Sequence, residues 1–204
     1  MRDANTTTPM DLFIQLSALV TGFSATKLAP GLDPVNLKKA LFDFAQSRTG
    51  AVFDALLVAF QQSAEAEAGT IDVSSMSAEQ RQAIGNRVLG LDGASQDAQV
   101  AATAQSVNKA WYLGSWYQPF DYTDGAGTTY EAGSQVVISS QAYIGGLAWK
   151  AMQSHAMGNS TFTFGYWASE PPSLEAFTGN PQPTATTQGS TTQGSTTQNQ
   201  GSAS

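Results

Sequence analysis

The stretch Ala110 to Tyr117, AWYLGSWY, closes the most regular helical pattern in the chain and constrains the rest most strongly. Val100, Ala104, Val107, Trp111 and Gly114 follow one another at spacings of four, three, four and three, which places them on one helical face. A face of that kind is expected to be buried, with Pro119 ending the helix. A second aromatic group, Phe162, Phe164, Tyr166 and Trp167, lies further on. Aromatic side chains bury large areas. The earlier helices are therefore expected to pack onto these late segments.

Three longer helices and one shorter one are expected before it. Thr8, Pro9 and Asp11 read as a hydroxyl N-cap, a Pro at the first helical position and a carboxylate near the positive end of the dipole. The helix they open runs to about Gly22, with Leu12, Phe13, Leu16, Leu19, Val20 and Phe23 on its inner stripe. Asp33 and Pro34 look like the same device, starting a second helix whose buried face is Leu37, Ala40, Leu41, Phe44 and Ala45. A third follows Gly50, with Val52, Phe53, Leu56, Leu57 and Phe60 in period, and is expected to fray into QQSAEAEAG.

Gly69 to Ser75 reads as a loop, and Ser77 with Gln80 as a capping box for a shorter helix carrying Ile84, Val88 and Leu91. Beyond the central helix, Asp121 to Gly133 is a polar loop or turn. Thr128 to Tyr130 and Gln135 to Ile138 could pair as a ribbon, which must lie on the helices because two strands alone are marginal. Ser140 opens a last helix, QAYIGGLAWKAM, with Tyr143, Leu147 and Ala151 on one side and Gly145 and Gly146 permitting close backbone approach. The expected fold is one mainly α-helical domain with a short β-ribbon insertion: residues 1–8 a flexible N-terminus, 9–177 the domain, 178–204 a disordered tail. The tail repeats TTQGS and has no Leu, Ile, Val, Met or aromatic side chain with which to offset the entropy of ordering.

Composition narrows the chemistry. Sixteen acidic residues against nine basic ones give a net charge of −7, so no electrostatic footprint for a phosphate backbone is expected. With no Cys there are no thiolate nucleophiles, disulfides or cysteine-held clusters in this chain. No apolar run is long enough to span a bilayer. MRDANTTTP has no apolar h-region and does not read as a secretory signal as it stands.

His155 is the single His and could be a general base, but an ordinary hydrogen-bonded loop residue is the favoured reading. Asp121, Asp124 and Glu131 lack calcium-loop spacing and read as a solvated turn. GAGTTYEAG is a turn and not a dinucleotide loop, since no strand-to-helix unit surrounds it. Asn5-Thr6-Thr7 and Asn159-Ser160-Thr161 match a glycosylation sequon, a frequent chance pattern. Trp116, Tyr117, Phe164, Tyr166 and Trp167 could form a sugar platform or a partner patch, although most aromatics are core. No catalytic constellation assembles from these residues, and a non-catalytic role is the expectation.

The order of several motifs, FIQLSALVTGF, then LDP and a helix, then KAWYLGSWY, GLAWKAM and FGYWASEPP, resembles the small subunit of bacterial membrane-bound FAD-dependent sugar and polyol dehydrogenases, the sorbitol and fructose dehydrogenase type. The likeness covers roughly Met10 to Phe177. It implies a non-catalytic companion with no catalytic, cofactor or metal residues of its own. FAD and an iron-sulfur cluster would sit in a large subunit of the glucose-methanol-choline oxidoreductase type, with a cytochrome c subunit in the same complex. The companion would support maturation and twin-arginine export of that flavoprotein, would be periplasmic, and would meet the membrane only through the complex.

Trp111, Tyr112, Gly114, Trp116, Tyr166, Trp167 and Pro171 are the packing or interface positions the resemblance suggests. The chain departs from the pattern in lacking a twin-arginine stretch before Met10, in a longer loop from Gln118 to Ser134, in lacking the Cys that many relatives carry near Ser160 to Thr163, and in its tail. Two rival expectations remain: a secreted carbohydrate-binding module using Trp116, Tyr117 and Trp167, and an enzyme centred on His155 and Glu131.

Overall fold

The computed structural model describes residues 7–93, 97–154, 156, 173, 178 and 179. Helix α1 (Pro9–Thr21) begins as expected: Thr8 Oγ1 accepts from the Asp11 N–H, the Asp11 carboxylate accepts from the Thr8 N–H, and Gly22 closes the helix in the left-handed conformation. A short helix that the sequence did not announce, α2 (Ala25–Leu28), follows and buries Leu28.

Helix α3 (Leu37–Thr49) starts three residues later than Asp33-Pro34 suggested. Pro34 lies in a turn, Asn36 is the left-handed N-cap, and Asp33 still contributes by accepting from the Leu37 N–H at 3.0 Å. Helix α4 (Ala51–Ala68) does not fray at QQSAEAEA. Ser63 and Ala64 are buried, which extends the apolar stripe a further turn until Gly69 ends it. A 3-10 turn (Val73–Ser75) then leads to α5 (Ala78–Val88), whose Ser77/Gln80 capping box is present on both sides. Ile84 and Val88 are buried, whereas Leu91 lies beyond the helix and is 65% exposed, so it does not belong to the core stripe.

Helix α6 (Ala98–Leu113) is the centre of the fold, packed against α1, α3, α4 and α5. Small residues at Ala101, Thr103, Ala104, Ser106 and Ala110 keep its surface narrow and allow neighbours on several sides. Val100, Ala104, Val107 and Trp111 are buried as their spacing required. Phe13 of α1 joins Trp111 to the α3 and α4 rings, with centroids 5.5 Å from Phe42, 5.8 Å from Phe53 and 6.3 Å from Trp111. Such ring pairs add to the area term of burial.

The helix ends at Gly114 and not at Pro119, and the second half of AWYLGSWY is a strand. Gly114 has φ +64 and its N–H donates to Ala110 O, a left-handed cap. The reason is tertiary as well as local, because a Cβ on Gly114 would lie 2.4 Å from Ala142 C and Tyr143 N. Only a residue without a side chain lets α7 cross there.

Strand β1 (Ser115–Tyr117) pairs antiparallel with β4 (Gln135–Val137), matching Trp116 to Val136. β2 (Tyr122–Thr123) pairs with β3 (Thr129–Tyr130). The ribbon expected between Thr128–Tyr130 and Gln135–Ile138 is therefore replaced by two nested two-stranded ladders, because each strand found a partner on the far side of the turn. The last helix is broken at Gly145-Gly146 into α7 (Ser140–Ile144) and α8 (Leu147–Ala151), and Ala151 is exposed. A Cβ on Gly146 would lie 2.7 Å from Tyr112 O, so the close approach expected at this pair is present.

Thr178 O accepts from the Ser24 N–H at 3.0 Å, and a Cβ on Gly179 would meet Ser24 Oγ at 2.6 Å, so these two residues are docked on the entry to α2. Residues 180–204 lie outside the described residues.

Gly114→Ala and Gly69→Ala separate backbone conformation from crowding, since both glycines are left-handed but a Cβ at Gly69 would enter open space. Gly69→Ala should cost about 1 kcal/mol, from the conformation alone. Gly114→Ala should cost on the order of 3 kcal/mol or more, because α7 must also shift. Urea unfolding of the two variants checks this, and equal losses would remove the proposed crowding.

Candidate functional site

Of the candidate interface residues, Trp111, Tyr112 and Gly114 lie where α1, α6 and the α7–α8 pair meet. Trp111 Nε1–H donates to Ser17 Oγ at 2.8 Å inside the core. One residue on, the Tyr112 hydroxyl donates to Thr21 O at 2.8 Å, and its ring meets Phe23 edge-on at 6.3 Å. Burial pushes the Tyr112 hydroxyl above its ordinary pKa, as expected where the phenolate would lose its hydration. Tyr143 and Trp149 close the far side, with centroids 5.4 Å apart and Trp149 Nε1–H donating to Tyr143 O.

The structure sorts the expected positions. Trp111 is 2% exposed and Trp116 1% exposed, and Gly114 is buried as well. All three pack this chain's own interior, so none offers its surface to a partner as it stands. Trp116 Nε1–H donates to Gln118 Oε1, and Gln118 Nε2–H in turn donates to Arg48 O and Phe120 O, a network that satisfies the buried indole. A sugar platform built on Trp116 is therefore corrected: that ring has no free face. Tyr112 and Tyr117 are half-buried. Tyr166, Trp167, Pro171 and His155 lie outside the described residues, as do Phe162, Phe164 and the sequon at Asn159.

What the junction does expose is aliphatic. Leu113 is 41% exposed, Val137 54% and Ile144 45%. Each lies within two residues of the Gly114 contact, because Ile138 N–H donates to Gly114 O and α7 crosses Gly114 at Ala142 and Tyr143. These side chains were not singled out in the sequence. Nothing local marks them, since β4 is exposed along its length and Leu113 and Ile144 are simply the last residues of α6 and α7.

The β2–β3 hairpin holds the acidic residues. Asp124 Oδ1 accepts from the N–H groups of Ala126 and Thr128 at 2.9 Å, and Oδ2 accepts from the Tyr130 hydroxyl at 2.9 Å. Those donors, the Thr128 N–H foremost, hold its carboxyl below the usual range, while the bond to Asp124 holds the Tyr130 hydroxyl above its own. Asp121 Oδ1 accepts from the Ala132 N–H at 2.7 Å. Glu131 is exposed. The carboxylates thus brace a hairpin, and GAGTTYEAG supplies its turn together with strand β3. Among the described residues, no group of three or more His, Cys, Asp or Glu is placed to hold a metal ion, and no helix is long and apolar enough to cross a membrane.

The architecture is that of a mainly α-helical domain with two small antiparallel ladders. Comparison with protein-family models, with curated proteins and with solved structures finds no match.

Ser17→Ala should cost about 1–3 kcal/mol, because it leaves the Trp111 N–H buried without an acceptor. In a Trp111→Phe background the same change should cost far less. Equal costs in both backgrounds, measured by chemical denaturation, would show that the bond contributes nothing. For the hairpin the pH direction follows from Asp124. Its folded-state pKa is lowered, so its contribution is present above the ordinary carboxylate value, about 4, and is lost as pH falls through the lowered one. Amide NMR of Ala126 and Thr128 should show acid-induced shifts in that window, and Asp124→Asn should abolish the transition.

Proposed function

We propose that this chain is the non-catalytic accessory subunit of an FAD-dependent sugar or alcohol dehydrogenase complex, binding a flavoprotein large subunit and supporting its maturation and export. One observation supports the reading above the others. Three of the motif segments on which the family resemblance rests, FIQLSALVTGF, KAWYLGSWY and GLAWKAM, are far apart in sequence and packed on one another in the fold. Trp111 and Tyr112 bond to Ser17 and Thr21, and the Tyr112 carbonyl lies against Gly146. Residues that share a structural task explain why those motifs occur together and in that order.

On this proposal the flavoprotein is of the glucose-methanol-choline oxidoreductase type and carries the FAD and iron-sulfur cluster. A cytochrome c subunit belongs to the same complex, and the assembly is periplasmic and reaches the membrane through its partners. The contact surface differs from the one the sequence suggested. Trp111, Gly114 and Trp116 build the scaffold, and Leu113, Val137 and Ile144 form the exposed apolar corner that it presents. Tyr166, Trp167 and Pro171 remain interface positions of the proposal. An obligate contact of this kind buries roughly 2,000 Å² or more in total and is rich in apolar side chains.

The test is co-expression with a flavoprotein of the glucose-methanol-choline type, which the proposal expects to be encoded alongside this chain. The two should co-purify, and the flavoprotein should lose most of its yield and exported activity when this chain is omitted. Replacing Leu113, Val137 and Ile144 together by Asp should abolish co-purification while leaving the helical circular dichroism of the isolated chain unchanged. A flavoprotein that matures equally well without this chain would sink the proposal.

A further inference from the structure

A cation in contact with two aromatic rings sits at the base of the β2–β3 hairpin. Arg48, in the last turn of α3, has its Cζ 4.7 Å from the Phe44 ring centroid and 3.9 Å from that of Tyr130. The stack extends at both ends: Tyr130 lies against Tyr122 at 6.3 Å and 13°, and Phe44 against Trp116 at 6.1 Å and 57°. Tyr130 is further fixed by its hydroxyl bond to Asp124. The hairpin and the end of α3 thus hold the guanidinium in place from two separate elements.

That contact engages the charge of Arg48 but takes none of its donors. A guanidinium carries five N–H groups in a planar fork. Among the described residues, none of them meets an acceptor and no carboxylate lies within ion-pair distance. Three other cations of the helices are paired, Lys38 to Asp33 at 3.7 Å, Lys39 to Asp43, and Arg87 to Glu67 at 4.0 Å and Asp92 at 3.8 Å, whereas Arg81, Lys109 and Lys150 have no ion pair among the described residues. The carboxylates of the neighbouring hairpin are committed elsewhere. Asp124 uses both oxygens on backbone and Tyr130 donors, and Asp121 accepts from Ala132. The fork is therefore held still by its neighbours, with its donors uncommitted among the described residues.

We propose that Arg48, positioned by Phe44 and Tyr130, is a carboxylate-binding site. The fork matches a carboxylate with two parallel N–H···O bonds, and a side chain already ordered by ring contacts loses less entropy on binding than a free surface arginine. The ligand is either a small free carboxylate or a glutamate or aspartate side chain of a peptide, since the chemistry read by the fork is the same. The net charge of −7 and the nearby Asp124 oppose an incoming anion, so binding is weak and falls further with salt.

The test uses the whole chain labelled with nitrogen-15, following the arginine Nε–Hε resonances at neutral pH. Acetate is titrated against chloride at constant ionic strength, and the Arg48 signal is assigned by its loss in Arg48→Lys. The Arg48 resonance should move saturably while those of Arg81 and Arg87 do not, and methyl acetate should move none. A capped glutamate peptide, compared with its glutamine counterpart, separates the two sources. Saturation by acetate alone identifies a small-molecule site, and saturation by the glutamate peptide also identifies one open to protein side chains; both support the proposal. An Arg48 resonance that stays still, or shifts linearly and in step with Arg81 and Arg87, overturns it. Because the signal is read in the unaltered chain, the result holds even where Arg48→Lys loosens the hairpin.

Discussion

The absence of a side chain at Gly114 is the constraint on which the architecture turns. Helix α6 is the central element, and at Gly114 it must stop, reverse into a left-handed residue and release β1, all beneath the backbone of α7. The ring of contacts around it depends on that single close approach. β4 reaches β1 because Ile138 bonds to the Gly114 carbonyl, and α8 can lie on Tyr112 because Gly146 also lacks a Cβ. Two glycines on different segments thus allow three backbones to meet where side chains would have held them apart.

Around this junction the N–H and O–H groups of the buried aromatic residues are paired. Ser17, Thr21 and Gln118 accept or relay bonds that Trp111, Tyr112 and Trp116 would otherwise lack. An aromatic residue with an N–H or O–H gives the core large buried area but demands a partner in return. That requirement links α1 to α6 by specific bonds and not by greasiness alone, which restricts α1 to one register on α6. The β2–β3 hairpin is joined to the same frame differently, through the rings and guanidinium of Tyr130, Arg48 and Phe44.

The proposed accessory role and the packing of the motifs bear on each other. Residues first considered as surface for a partner, Trp111 and Trp116, are interior. Their buried places explain their presence without a partner, and the surface left for a partner at this junction is the aliphatic corner of Leu113, Val137 and Ile144. Aromatic residues near the end of a helix are ambiguous in sequence because core and interface draw on the same side chains.

By itself the sequence determined where most of the longer helices lie, the N-terminal caps of α1 and α5, and most of the core. Thr8-Pro9-Asp11 and Ser77-Gln80 are local signals whose partners are three residues away, and the α1, α4 and α6 stripes repeat with the helical period, so each could be read without knowing the fold. Only the tertiary structure decided where α6 ended, which strands paired, that QQSAEAEA stayed helical, and that Trp116 faced inward. Those outcomes depend on contacts between segments distant in sequence: α7 against Gly114, β4 beside β1, and Gln118 reaching back to Arg48. A glycine, a short alternating run or a tryptophan has several acceptable local states, and the neighbour that arrives from elsewhere in the chain selects among them.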